Sequence, residues 1–136
     1  MSTRKYDLKP GDRIIEPLFQ TGLTKHHVVF LGIDQNGVEW MAENQKFKGV
    51  RIITAQAYFA ETRKIDRIER FGGTNAERKQ VVQRALRLAG KPYDLINYNC
   101  EHFANEVLTG RVESKQVEKA FIAVLGLLLF GLFVNE

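Results

Sequence analysis

The sequence is poor in cysteine, proline and histidine. Of its 136 residues, one is cysteine, three are proline and three are histidine. A single cysteine cannot form an internal disulfide, which favours a reducing, cytoplasmic setting or a reactive thiol over a secreted disulfide scaffold. Residues 1–11 are polar and contain no apolar core of a signal peptide, so we expect no secretory leader.

Dense basic blocks and metal-binding spacings are also missing. The net charge of +4 is spread along the chain, so we expect no nucleic-acid partner, whereas an anionic membrane surface is compatible with it. The sequence has no C-x-x-C or H-x-x-x-H spacing for zinc. The Gly72-Gly73 pair lacks the Lys-Ser/Thr that completes a phosphate loop. We therefore expect neither a metal nor a cofactor.

The first half of the chain predicts a small antiparallel sheet. The run HHVVFLGI at 26–33 is β-branched and aromatic, as in a strand, and Asn36-Gly37 is typical of a tight hairpin turn. Four further segments have strand character: 13–17, 38–42, 50–54 and 65–70. The chain is long enough for one hydrophobic core without disulfides.

The second half predicts helices. Thr74 and Glu77 form a capping box for a helix that ends at Gly90, with Pro92 beyond it. A second helix begins at Cys100 and stops near Gly110, and Ser114 caps a third helix. Strands followed by helices indicate an α+β fold.

The end of the chain is strongly apolar. Residues 120–134 are fifteen positions without a charge, whereas a spanning helix needs about 20 apolar residues. A buried core helix is the alternative, but the segment is apolar on all sides and the domain is small for enclosing it. We expect shallow or partial membrane insertion, with Lys115 and Lys119 at the headgroups. The chain thus divides into a globular domain, 5–112, and a membrane-interacting helix, 114–136.

Cys100 is the candidate nucleophile. Asn99 is a strong N-cap, which places the thiol in the first turn of a helix, where backbone N–H groups and the helix dipole favour a thiolate. His102 is a poor base for it, because two residues along a helix turn its side chain about 200° away. His26 and His27 point to opposite faces of their strand, so only one of them faces Cys100.

Four motifs in order resemble the lecithin retinol acyltransferase-like family. That family includes the small phospholipase/acyltransferases of the H-rev type and belongs to the permuted, NlpC-type branch of the papain-like thiol hydrolases. The motifs are the opening LKPGD at 8–12, the strand HHVVFLG at 26–32, the run NCEHF at 99–103 and the hydrophobic tail after ESKQV at 113–117. The resemblance implies a permuted papain-like fold of small antiparallel sheet and helices.

The resemblance also implies the chemistry. Cys100 takes the place of the nucleophile, and His26, six residues before Gly32, takes that of the general base. The thiolate attacks an acyl ester of a phospholipid, an acyl thioester forms, and water, an amine or another lipid receives the acyl group. Two backbone N–H groups near the start of the helix, that of Cys100 included, would stabilise the oxyanion.

The sequence departs from the family at two positions. The second histidine of the animal members is absent from the segment 38–44, so another polar residue must orient the imidazole. Glu43 is the first candidate, with Asn44 and Glu39 behind it. Thr24 stands where the animal enzymes have a tyrosine that assists the oxyanion, so either backbone donors act alone or the substrate differs.

These observations predict a cytoplasmic, membrane-associated thiol acyltransferase or phospholipase A of lipid metabolism. Its site is Cys100, His26 and Glu43, and its partners are a phospholipid and a membrane surface. A papain-like peptidase or amidase is the alternative enzyme, and a non-catalytic membrane-interacting module of the same fold is the alternative outside enzymes.

Overall fold

A five-stranded antiparallel sheet forms the centre of the structure, a computed structural model that describes residues 3–17, 25–61 and 64–134. The spatial order of the strands is β4-β3-β2-β1-β5. The strands are β1 (Arg13–Pro17), β2 (Lys25–Ile33), β3 (Glu39–Gln45), β4 (Gly49–Thr54) and β5 (Arg67–Glu69). All five correspond to predicted strands, with ends displaced by a few residues.

The helices follow the sheet. They are α1 (Ala55–Glu61), α2 (Asn75–Leu88), α3 (Cys100–Thr109) and α4 (Lys115–Val134), besides a 3₁₀ turn at Thr3–Tyr6. The predicted capping box of α2 is present, but the helix stops at Leu88, before Gly90. Helix α1 was not predicted, although Thr54 caps it by accepting a hydrogen bond from the Ala57 N–H at 3.1 Å.

The two faces of the sheet carry separate cores. On one face α2 and α3 pack over Val29, Leu31 and Ala42. On the other face α1 packs over Val28 and Phe30. The alternation of strand β2 therefore sends His26 and His27 to different faces, as predicted. The mixed α+β class with a small antiparallel sheet is confirmed, and the permuted papain-like arrangement stays a prediction.

The hairpin between β2 and β3 is built around Asp34. Gly37 has the positive φ (78°) that the Asn-Gly pair predicts, whereas Asn36 does not share it. The Asp34 carboxylate instead accepts the N–H groups of Asn36 and Val38 at 2.8 and 2.9 Å. Strand β3 accordingly starts at Glu39 and runs on to Gln45, beyond the predicted end at 42.

The opening motif LKPGD has a structural role at the start of β1. Asp12 is 1% exposed. Its carboxylate accepts backbone N–H groups of Lys9 (2.9 Å) and Phe71 (3.0 Å) and the side chains of Arg70 and Arg78. Burial raises the pKa of Asp12, but these hydrogen bonds outweigh it and lower the pKa below its ordinary value. Asp12 thus ties β1 to the segment before α2.

A helix is present where the sequence predicts one, α4, and its apolar side chains between Phe121 and Leu128 are exposed. Phe121 and Leu127 are 70% and 72% exposed, so the helix is not the buried core element that was the alternative. Within the described residues, however, we find no helix with both the length and the apolar character needed to cross a membrane.

Candidate active site

Cys100 is the first residue of α3, as the sequence predicts. The Asn99 side chain caps the helix by accepting the N–H groups of Glu101 (2.9 Å) and His102 (3.1 Å). The thiol is 4% exposed, and its Sγ lies 3.4 Å from the backbone carbonyl oxygen of Lys25. This contact places the candidate nucleophile at the beginning of β2, beside His26.

His26 lies between Cys100 and Glu43. Its Nε2 is 2.7 Å from Glu43 Oε2, and the Cys100 thiol lies close enough to influence the pKa of the ring. Burial lowers the pKa of His26, but the hydrogen bonds and negative charges of Cys100 and Glu43 outweigh burial and raise it to about 10. The arrangement therefore favours an imidazolium at neutral pH.

Glu43 is held in its ionised form. The carboxylate is 2% exposed, and its Oε1 accepts a hydrogen bond from Arg51 Nε at 2.6 Å. Burial raises the pKa of Glu43, but the contacts with His26 and Arg51 lower it below its ordinary value. Arg51 also pairs with Glu61 at 3.0 Å, which fixes the guanidinium. A fixed negative charge thus faces the far nitrogen of His26.

The two other candidates for the third residue lie elsewhere. Asn44 is fully buried and points to the opposite face, where it donates to the carbonyls of Tyr98 (2.8 Å) and Asn99 (3.2 Å). Glu39 pairs with Ile33, at the end of β2 remote from His26. Of the three, the structure brings only Glu43 to the imidazole, while Asn44 supports the turn that precedes Cys100.

His27 occupies a separate buried cluster. Its Nε2 lies 3.4 Å from Glu101 Oε2 and 3.5 Å from Gln116 Nε2, and its Nδ1 lies 3.5 Å from Arg13. Burial lowers the pKa of His27. Burial raises the pKa of Glu101, but its bonds to His27, Gln116 and Ser114 lower it to about 2. A neutral His27 therefore sits beside an ionised Glu101.

His102 completes the cap of α3. Its Nδ1 accepts the Asn99 backbone N–H at 3.0 Å, so this nitrogen carries no proton. Burial lowers the pKa of His102, which keeps the ring neutral. The sequence indicated that His102 is a poor base for Cys100, and its place in a reciprocal cap agrees with that. The capping role itself was not predicted, because a histidine is an unusual partner in a capping box.

In the first turn of α3, fewer backbone N–H groups are free to bind an oxyanion than the sequence suggested. Asn99 engages the N–H groups of Glu101 and His102 through its side chain, and that of Phe103 through its carbonyl at 3.1 Å. Among these first amides, the N–H of Cys100 itself is the one left to meet an oxyanion. Thr24, at the position of the family's tyrosine, lies outside the described residues.

An apolar groove opens at the thiol. It has a volume of about 400 Å³ and lies between the loop around Leu95 and Ile96 and the first half of α4. Cys100 and Asn99 line one part of it. In the described part of the chain, no group of three or more His, Cys, Asp or Glu side chains is arranged to hold a metal ion.

Comparisons with known proteins give a consistent result. Residues 7–113 match the family model described as lecithin retinol acyltransferase. A segment of 59 residues is 44% identical to the mouse protein "Phospholipase A and acyltransferase 3" and covers 39% of this chain and 36% of that protein. The match thus spans little more than a third of either chain. No solved structure matches the chain.

Proposed function

Because the chain belongs to the lecithin retinol acyltransferase family, we propose that it is a cysteine-dependent acyltransferase or phospholipase A acting on phospholipid acyl esters. Family membership and the similarity to a phospholipase A and acyltransferase support acyl-ester chemistry in general. The observation that carries the specific proposal is the position of His26, in contact with the Cys100 thiol on one side and 2.7 Å from Glu43 on the other.

The first half of the reaction forms an acyl enzyme. The Cys100 thiolate attacks the ester carbonyl carbon, and the carbonyl oxygen becomes an oxyanion that the Cys100 N–H stabilises. As the tetrahedral intermediate collapses, the His26 imidazolium gives its proton to the departing alkoxide. The ester C–O bond breaks, a lysophospholipid leaves, and the acyl group stays on Cys100 as a thioester.

The second half returns the enzyme to its starting state. Neutral His26 takes a proton from water, an amine or a lipid hydroxyl as that acceptor attacks the thioester. The C–S bond breaks, and the thiolate reforms beside an imidazolium. In both halves the ionised Glu43 carboxylate stabilises the positively charged ring and fixes the nitrogen that faces it.

The surroundings of the thiol favour a lipid over a peptide. A bound peptide needs backbone hydrogen-bond partners along its length, as in strand addition to a sheet edge. The groove beside Cys100 instead offers mainly apolar side chains such as Leu95, Phe121 and Val124. The exposed apolar residues of α4, preceded by Lys115 and Lys119, support association with an anionic lipid surface.

The proposal is tested with phosphatidylcholine vesicles that carry a radiolabel in the acyl chain. We expect labelled fatty acid, or labelled acceptor when an amine is supplied, to appear with the wild-type protein. We expect none above background with Cys100→Ala. Cleavage of a peptide library without release of the acyl label would identify the peptidase alternative. Equal release by wild type and Cys100→Ala would contradict the proposal, as would no product from either substrate.

A further inference from the structure

We propose that the apolar groove beside Cys100 binds the acyl chain of the scissile ester, so that helix α4 forms one wall of the substrate site. This inference rests on the proposed function, because it assigns a place to one part of the proposed substrate. It gives α4 a role at the site in addition to any contact with a membrane.

The walls of the groove come from two segments. One wall is formed by the loop residues Tyr93, Leu95 and Ile96, and the other by the α4 residues Val117, Ala120, Phe121 and Val124. The α4 residues follow each other at intervals of three, one and three, which places them on one face of the helix. Leu95 and Ile96 are 64% and 65% exposed. Large apolar side chains exposed around one concavity are typical of a binding site.

Helix α4 is fixed at its first turn to Lys25 and Glu101, the chain neighbours of His26 and Cys100. Gln116 Oε1 accepts the Lys25 backbone N–H at 3.0 Å, and the Gln116 backbone N–H donates to Glu101 Oε1 at 3.1 Å. Gln116 Nε2 also lies 3.2 Å from Glu101 Oε2. The Lys25 carbonyl contacts the Cys100 thiol at 3.4 Å. The wall of the groove and the nucleophile are therefore held by the same strand end and the same helix.

The polar groups lie at one end of the groove, and their position indicates how a bound lipid ester is oriented. Three polar residues of the groove lining, Lys25, Asn99 and Gln116, cluster near the thiol. Gln116 accepts the Lys25 backbone N–H at the start of β2, and Asn99 caps the helix that begins at Cys100. Beyond them the lining is apolar along α4 as far as Val124. An ester carbonyl thus fits at Cys100 with its hydrocarbon chain extending along α4, since an unbranched chain needs no hydrogen-bond partners.

Ala120 offers the most direct way to fill the groove. It has the smallest side chain of the α4 wall, so Ala120→Trp places an indole in the space assigned to the chain. Ala123 is the matched control, because it is an exposed alanine of the same helix that does not line the groove. Leu95→Asn is a second variant on the opposite wall, where the exposed side chain tolerates a polar replacement.

The test uses alkyl methanethiosulfonates, which react with the thiolate to form a disulfide and release methanesulfinate. Cys100 is the one cysteine of the chain, so the intact mass reports labelling of a single site. For the methyl, butyl and hexyl reagents we expect the rate to rise with chain length in wild type and in Ala123→Trp. The rise should be about twofold per methylene, below the roughly fourfold that full burial gives.

In Ala120→Trp we expect the rate to be independent of chain length. Leu95→Asn should weaken the increase of the labelling rate with chain length. A wild-type rate that does not rise with chain length would overturn the inference, as would an unchanged dependence in both variants. Because these reagents modify the Cys100 thiol directly, the test does not depend on catalytic turnover of a phospholipid. A failure to release acyl label from phospholipid therefore removes the proposed function, whereas the absence of a chain-length dependence in the wild-type protein removes the groove assignment.

Discussion

His26 Nε2 lies 2.7 Å from Glu43 Oε2, and the pairing of β2 with β3 accounts for this contact. Glu43 is directly opposite Val28, which shares a face of β2 with His26, so His26 and Glu43 are diagonal neighbours within reach of each other. Cys100 approaches from α3 at the beginning of β2. The site thus combines the ends of two neighbouring inner strands of the sheet with a helix terminus.

Glu43→Gln tests the role of the carboxylate. Burial lowers the pKa of His26, and the charges of Cys100 and Glu43 raise it to about 10, so the imidazolium persists in the wild type until the pH passes that value. Without the Glu43 charge the pKa of His26 falls. We expect the alkaline limb of the pH profile of kcat/KM to move to lower pH, with the maximum reduced about 100-fold.

Glu39→Gln is the matched control for that variant, because Glu39 lies on the same strand and face but pairs with Ile33. It should leave the pH profile in place. A Glu43→Gln profile with an unmoved alkaline limb would show that Glu43 does not stabilise the imidazolium.

The two adjacent histidines should differ sharply in activity. We expect His26→Gln to reduce the release of acyl label by about 100-fold or more, because the proton donor and acceptor of the reaction is lost. His27→Gln should retain activity within about tenfold, since His27 faces Glu101 and Arg13 on the other side of the strand. Initial rates at a fixed vesicle concentration measure both. The reverse order of effects would assign the base to His27.

His27 should make the fold sensitive to acid. Burial lowers the pKa of His27 below 6.5, so the unfolded chain binds more protons than the folded one once the pH falls through 6.5. Stability contributed by the neutral ring is present above that pH and is lost below it. We expect His27→Gln to lose less stability than wild type between neutral and mildly acidic pH, as measured by urea unfolding. Identical slopes in the two proteins would contradict this.

Asp12 should be important for stability. Its buried carboxylate accepts two backbone N–H groups and two arginine side chains, and its removal leaves them without their acceptor. We expect Asp12→Ala to lower the free energy of unfolding by about 3 kcal/mol, measured with urea. Asp34→Ala, in the exposed hairpin, should lower the free energy of unfolding by a clearly smaller amount. Equal losses of unfolding free energy in the two variants would show that the burial of Asp12 does not increase its contribution to stability.

The exposed face of α4 should govern binding to lipid vesicles. Ile122 is 67% exposed and does not line the groove, so Ile122→Asp changes the surface without filling the substrate site. We expect about tenfold weaker co-sedimentation with anionic vesicles, because the apolar contact is replaced by a like charge. Ile33→Asp changes an isoleucine of similar exposure (66%) on the sheet and should bind as wild type. Equal loss in both variants would indicate a general charge effect.

Local patterns in the sequence predicted much of this arrangement. The Asn99 cap placed Cys100 at a helix start, and strand alternation separated His26 from His27. Alternation alone did not distinguish Glu43 from Glu39, which shares its face of β3. Helix α1 was missed because a single threonine cap before seven residues is a weak pattern. The cluster of His27, Glu101 and Gln116 joins residues remote in sequence, so no local pattern indicates it.

The intact mass of the protein after rapid mixing with phosphatidylcholine vesicles tests the central claim most directly. We expect a population heavier by one acyl group, located on Cys100, sensitive to hydroxylamine as a thioester is, and absent in Cys100→Ala and His26→Gln. An acceptor amine should remove it faster than water does. Release of labelled fatty acid at the wild-type rate with no acylated Cys100 at any mixing time would contradict the account.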